Sequence, residues 1–340
     1  MNTRRDFLKQ AGAAGAGLAL TGAAAESAAA PAASSSKGPH MMPRNLKLLS
    51  IRHPDGSETL GAVTAAGVVD VRATAKKLSV HAPLTLDALL QDGDAGSLER
   101  VVTGAAHSGV PLLAEADIKY GRLFARPGKI ICVGLNYRQH AKEIGMPEPR
   151  VPPLFNKYNN ALAAQHCVIK LPPADVSVKF DYETELLIVI GKTCRNVSEH
   201  EALDYVAGYC NSNDFSARDL QLELPAGQWM IGKTLDDFAP IGPYFVSADL
   251  VGDPNALKLE TRVNGELRQS SNTSDFIFNC QQVIAYISRH WTLEPGDIIF
   301  TGTPQGVVAG KPKDQQVWLK AGDEIVSSIE KLGELKFSLA

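Results

Sequence analysis

Asp181-Tyr182-Glu183-Thr184-Glu185-Leu186-Leu187-Ile188-Val189-Ile190 is the stretch on which the fold reading turns. Two carboxylates stand two residues apart at the mouth of an apolar run. The run is aliphatic and β-branched, which reads as a buried strand. Side chains at i and i+2 of a strand leave the same face, so Glu183 and Glu185 point the same way. Like charges roughly 7 Å apart beside an apolar strand repel one another unless a cation or water lies between them. A hard divalent ion, with its preference for oxygen ligands, satisfies such a pair. An exposed strand end with a solvated charged face satisfies it too, and the motif alone does not choose.

Other segments bring chemistry to this strand. Asn213-Asp214-Phe215-Ser216-Ala217-Arg218-Asp219 follows the apolar segment Tyr205–Cys210 and can deliver Asp214 as a third carboxylate. The plainer alternative is a helix capped by Asp214 or Ser216. Arg218 can pair with Asp219 or hold a substrate carboxylate. In Val133-Gly134-Leu135-Asn136-Tyr137-Arg138-Gln139-His140-Ala141-Lys142-Glu143, Gly134 ends a strand and the residues after it look helical. His140 and Glu143, three apart, then share a helical face. A glutamate that orients a histidine makes a general base for water; a surface histidine beside a solvated glutamate is the alternative. Lys233, in Gln228-Trp229-Met230-Ile231-Gly232-Lys233-Thr234, is a lone cation in an apolar, glycine-bearing context. There an ammonium can neutralise an enolate, or simply lie exposed. Gly302-Thr303-Pro304-Gln305-Gly306 follows a strand. Its amides and the Thr303 hydroxyl can hold a carboxylate, or form a plain turn.

The chain around these motifs has 340 residues, 44% of them hydrophobic, and a net charge of -3 from 34 basic and 37 acidic side chains. Such a balance argues against a nucleic-acid binder. No run of eighteen apolar residues follows residue 30, which argues against an integral membrane protein. The 29 glycines and 20 prolines indicate many turns and a β-rich body. The five cysteines are scattered without a CxxC pair, which argues against a thiolate metal site or a disulfide framework. Strands are expected at Leu46–Arg52, Leu60–Val63, Val68–Val71, Lys129–Val133, Ile298–Thr301 and Glu324–Ile329. Short helical pieces are expected at Leu84–Leu90 and Gly96–Val102. The capping box Ser198-Glu199-His200-Glu201 predicts a helix over Ala202–Tyr209, and Ile277, Val283, Ile284 and Ile287 predict another over Asp275–His290. The fold class that follows is α+β and β-rich, with a small α+β N-terminal domain over 44–120 and a larger domain over 121–340. Thr3-Arg4-Arg5-Asp6-Phe7-Leu8-Lys9, followed by an Ala/Gly/Leu stretch, resembles a twin-arginine export signal. Residues 1–25 are therefore expected to be a cleaved signal and 26–43 a flexible leader. The expected destination is the periplasm, reached through the twin-arginine translocase.

Taken together and in order, VGLNYRQHAKE, DYETELLIVIGK, NDFSARDLQ, GKTLDDFAPIGP and LEPGDIIFTGTPQGV resemble the fumarylacetoacetate hydrolase family. The resemblance covers residues 128–338. It implies a mixed β-barrel or β-roll catalytic domain and a homodimer. It implies a divalent metal, Mg²⁺ before Mn²⁺ or Ca²⁺, on Glu183, Glu185 and Asp214. Carried across, His140 is the base acting on water, Glu143 its partner, and Lys233 the group that stabilises the enolate. Arg218, Gln221 and Thr303 become candidates for contact with a small 2-oxo acid substrate. The implied activity is hydrolysis of a C–C bond in an acylpyruvate or β-diketo acid. The alternatives are an isomerase or decarboxylase of 2-hydroxy-diene-dioates and a non-catalytic periplasmic protein that binds an oxo acid. Tyr158-Asn159-Asn160 stands where many members carry Pro or Ser after a lysine, which leaves the acyl group open.

Overall fold

Every residue of the strand Thr184–Ile190 is buried, because it has neighbours on both edges and both faces. Val206–Asn213 pairs antiparallel on one edge and Ile298–Phe300 antiparallel on the other. The alternation of a strand explains why an unbroken apolar run is needed here. Leu187 and Val189 face one cluster, shared with Leu89, Leu98 and Val101 of two N-terminal helices. Leu186, Ile188 and Ile190 face another, shared with Val283, Ile284 and Ile287 of the helix Cys280–His290.

The computed structural model describes residues 41–224 and 227–340; the expected signal, 1–25, and most of the expected leader lie outside the described residues. The main sheet has ten strands. From edge to edge it runs Gly67–Asp70, Glu58–Thr64, Lys47–Arg52, Ala239–Ser247, Val206–Asn213, Thr184–Ile190, Ile298–Phe300, Ile130–Val133 and Leu154–Asn156. Leu162–Ala163 adds to Ala239–Ser247 off this path. The first three strands thus share a sheet with the residues of the 121–340 segment, through Lys47–Arg52 paired on Ala239–Ser247. A second sheet of five strands runs Glu266–Asn272, Lys258–Val263, Glu324–Ile329, Gly333–Leu339 and Val168–Ile169. Both are open paths, so the fold is mixed, α+β and β-rich, with no closed barrel among the described residues.

Helices at Val71–Leu78, Leu86–Asp92 and Ala95–Ser108 begin at Asp70, Thr85 and Asp94, each of which accepts an N–H of the first turn. The last outruns its expected span. Two expected helices change. Ala202–Tyr205 is only a 3-10 turn, and Val206 opens the strand Val206–Asn213. Ser198 Oγ donates to Glu201 Oε2 at 2.7 Å instead of reaching the backbone. Beyond it, Val206-Ala207-Gly208-Tyr209-Cys210 finds strand partners on both sides, which outweighs the local signal. The helix expected from Asp275 starts at Cys280, because Asn279 and Gln282 form a reciprocal cap there. The cysteines of the described residues are free, with Cys167 half-buried and the others buried. No helix of the described residues is long and apolar enough to cross a membrane.

Candidate active site

The acidic end of Thr184–Ile190 meets the end of its neighbour Val206–Asn213, with Asn213 opposite Thr184. That register sets Asp214 beside Glu183, and Asp214 N–H donates to Glu183 O at 2.8 Å. One oxygen each from Glu183, Glu185 and Asp214 lies within 4.8 Å of the others, and all three residues are buried. The solvated strand end and the helix cap weighed from the sequence are therefore not what these carboxylates do.

Buried charge needs compensation, and the chain supplies most of it. Lys233 Nζ lies 2.5 Å from Glu183 Oε2 and 2.9 Å from Asp214 Oδ2. Lys157 Nζ pairs with Asp214 Oδ1. Arg218 does not pair with Asp219: its Nε donates to Asp181 Oδ2 at 2.8 Å and its Nη2 lies 2.7 Å from Glu183 Oε1. Four buried carboxylates thus face three buried cations, and among the described residues Glu185 makes no ion pair. It accepts Gly302 N–H at 2.7 Å. Burial, then the Asp214 and Glu183 charges, push the Glu185 carboxyl well above its ordinary range. Burial pushes Glu183 up as well, but Lys233 and Arg218 prevail and hold it below the usual range. Burial pulls the Lys233 ammonium down, and Asp214 and Glu183 more than offset it, so its proton is held tightly. An all-oxygen donor set with one surplus carboxylate fits a hard divalent cation, and Glu183, Glu185 and Asp214 are the residues that would hold it.

The helix Arg138–Glu143 places His140 and Glu143 as the spacing predicts, with Nδ1 to Oε2 at 3.1 Å. His140 lines the same cavity as Glu183, Glu185, Asp214, Arg218, Gln221, Lys233 and Thr303, a space of about 590 Å³. Apolar side chains share the lining with them, among them Phe155, Trp229, Leu222, Ile144 and Met146. Trp229 packs edge-on to Phe155, ring centres 5.5 Å apart, and closes over Gly134, whose α-carbon leaves no room for a side chain under the indole. Lys233 Nζ lies 5.4 Å over the Phe155 ring.

The predicted substrate contacts are already engaged. Gln221 Oε1 accepts from Arg218 Nη1 at 2.8 Å. Thr303 Oγ1 donates to Thr184 O at 3.1 Å and accepts from Gln269 Nε2 at 2.9 Å, so its single proton is spent inside the protein. The amides of the 302–310 loop do hold carboxylates, but those of the chain itself. Gly302 donates to Glu185, Gly306 to Glu143, and Val308 and Ala309 to Asp181. Lys157, Asp181 and Gln269 are the residues that sequence reasoning assigned no role. Asp181 was legible as the start of the acidic run; Lys157 and Gln269 carry no spacing signal at all.

An α+β, β-rich fold that sets a buried carboxylate triad and a histidine–glutamate pair on one cavity is the build of an enzyme site. One family's sequence model, fumarylacetoacetate (FAA) hydrolase C-terminal, matches residues 129–340. The chain belongs to the fumarylacetoacetate hydrolase family. It is 39% identical over 298 residues to the mitochondrial oxaloacetate tautomerase FAHD2A of Bos taurus, covering 87% of this chain and 92% of the relative. It superposes on fumarylacetoacetate hydrolase from Exiguobacterium antarcticum with a TM-score of 0.69 at 32% identity, over 86% of this chain and 99% of that one. With fumarylpyruvate hydrolase from Pseudomonas aeruginosa, solved in complex with Mn²⁺ and pyruvate, the TM-score is 0.56 at 34% identity, over 62% of this chain and 89% of that one.

Proposed function

We propose that this chain is a divalent-metal-dependent enzyme that cleaves the C–C bond of an acylpyruvate or related β-diketo acid. The observation that carries the reading is that His140, paired with Glu143, lines one cavity with the Glu183, Glu185 and Asp214 triad, and that apolar side chains share that lining. The polar side chains suit a 2-oxo acid head, and Phe155, Trp229 and Leu222 suit an acyl tail. A divalent ion bound on the triad supplies Lewis acidity to the oxygens of the 2-oxo acid. Glu143, accepting from Nδ1–H, leaves His140 Nε2 as the basic nitrogen on the cavity side. His140 takes a proton from water as the water oxygen bonds to the acyl carbonyl. The C–C bond then breaks, its electron pair passing to the pyruvate fragment as an enolate. The Lys233 ammonium, held charged, balances that enolate, and the proton on His140 returns to its carbon.

A second reading is favoured by the likeness to a tautomerase: His140 moves a proton between C3 and the 2-oxo oxygen, and no bond between carbons breaks. The experiment that separates them is product analysis with Mn²⁺ or Mg²⁺ over a panel of acylpyruvates and oxaloacetate, with EDTA controls. EDTA-sensitive release of pyruvate and a carboxylic acid supports hydrolysis; fast enol decay of oxaloacetate without fragments overturns it in favour of tautomerisation. Export by the twin-arginine route, cleavage of the signal and a homodimer belong to the same proposal. Thr3–Lys9 supports the export reading, and cell fractionation, N-terminal sequencing and light scattering test the three.

A further inference from the structure

Glu143 has three neighbours that together fix it. Its Oε2 takes His140 Nδ1 at 3.1 Å, and its Oε1 accepts Gly306 N–H at 2.9 Å. The third neighbour is an absent side chain. A Cβ on Gly310 would lie under 3.0 Å from Oε1, Oε2 and Cδ of Glu143 alike, closer than real Cβ atoms come to anything. Gly310 closes the 3-10 turn Val308–Gly310 and is not among the residues with positive φ, so the backbone does not call for glycine there. Space does.

The loop cannot retreat to make that space. Val308 and Ala309, the two residues before Gly310, both donate to the buried Asp181, at 2.8 and 3.0 Å. Gly310 N–H itself donates to Val307 O at 3.2 Å. Glu143, by contrast, ends a helix of six residues and is a three-torsion side chain with much freedom to lose. A methyl group at 310 therefore displaces the Glu143 carboxylate and leaves the loop where it is.

We propose that Gly310 is a positioning residue for the His140–Glu143 pair: its missing side chain is the slot that holds Glu143 in register with the imidazole. The proposal rests on the reading of that pair as the proton-transfer group. The test uses the full chain as Gly310→Ala, Glu143→Ala and the double variant. Gly310→Ala is expected to lower kcat about 100-fold, the scale of a one-ångström misplacement, with KM and the Mn²⁺ dissociation constant unchanged. It should also erase the ¹⁵N-coupled imidazole Nδ1–H resonance of His140 and lower Tm. In the Glu143→Ala background, adding Gly310→Ala should change neither kcat nor Tm, because the colliding group is gone. Equal losses in both backgrounds, or an intact resonance with wild-type kcat, would overturn the proposal. Should Gly310→Ala not fold, recovery of folding in the double variant supports the slot, and failure of both variants overturns it. If the wild type turns over no 2-oxo acid, the functional reading fails, and the resonance and Tm cycle alone decide for or against Gly310.

Discussion

Glu185 shows how one residue can be a liability to the fold and an asset to a site. It is 2% exposed, makes no ion pair among the described residues, and faces two other carboxylates. Glu185→Gln removes the surplus charge and keeps the shape. In EDTA the variant is expected to melt higher than the wild type. With Mn²⁺ added, the order should reverse, because the wild type gains a ligand the amide supplies poorly; calorimetry in both buffers reads the two signs. Arg218 is the counterpart. It compensates Asp181 and Glu183 at once, so Arg218→Leu leaves two buried carboxylates without their guanidinium. A loss of about 3–5 kcal/mol in urea unfolding is expected, more than a surface arginine would cost. His140→Ala should leave Mn²⁺ affinity intact by titration calorimetry while kcat falls about 10²–10⁴-fold.

At the scale of the element, the Val206–Asn213 strand is the hinge of the reading. Its sequence begins with a helix signal, yet it pairs with Thr184–Ile190 on one edge and Ala239–Ser247 on the other, with one register shift in each pairing. Gly208 is where that packing is tightest: a side chain there would meet Val246 O and the Phe245 ring. Gly208→Val, although valine favours strands, is therefore expected to destabilise the protein by about 1–3 kcal/mol or more, through overpacking. Thermal unfolding checks it, and a raised Tm would show that strand propensity governs this position after all. Helix Cys280–His290 behaves as its periodicity says, with Val283, Ile284 and Ile287 fully buried. Its start was misplaced by five residues because Ile277 continues the apolar pattern while Asn279 supplies the stronger cap.

For the whole molecule, the site is a seam where distant parts of the chain meet. Behind Thr184, a polar cluster joins the two sheets: Thr184 Oγ1 meets Thr261 Oγ1 at 2.5 Å and Ser327 Oγ at 2.7 Å. Gln269 carries the link on to Thr303 and Pro304 O. A divalent ion held by Glu183, Glu185 and Asp214 would stabilise the fold by mass action. Saturating Mn²⁺, at about 100 times its dissociation constant, should add about 2.7 kcal/mol, and EDTA should remove it. Glu183→Ala should abolish the shift, read as Tm with and without the ion. Of the spacings already visible in the chain, His140 with Glu143 is set by a single helix, whereas Glu183 precedes the strand that carries Glu185 and is held by its backbone bonds to Asn213 Oδ1 and Asp214 N–H. What only the tertiary structure decided is the company these groups keep. Lys157 reaches Asp214 across 57 positions of sequence, Lys233 reaches Glu183 across 50, and Arg218 reaches Asp181 across 37. Periodicity acts over a few residues and has no reach at such separations; burial and strand register alone determine which carboxylates are neutralised and which one is left over.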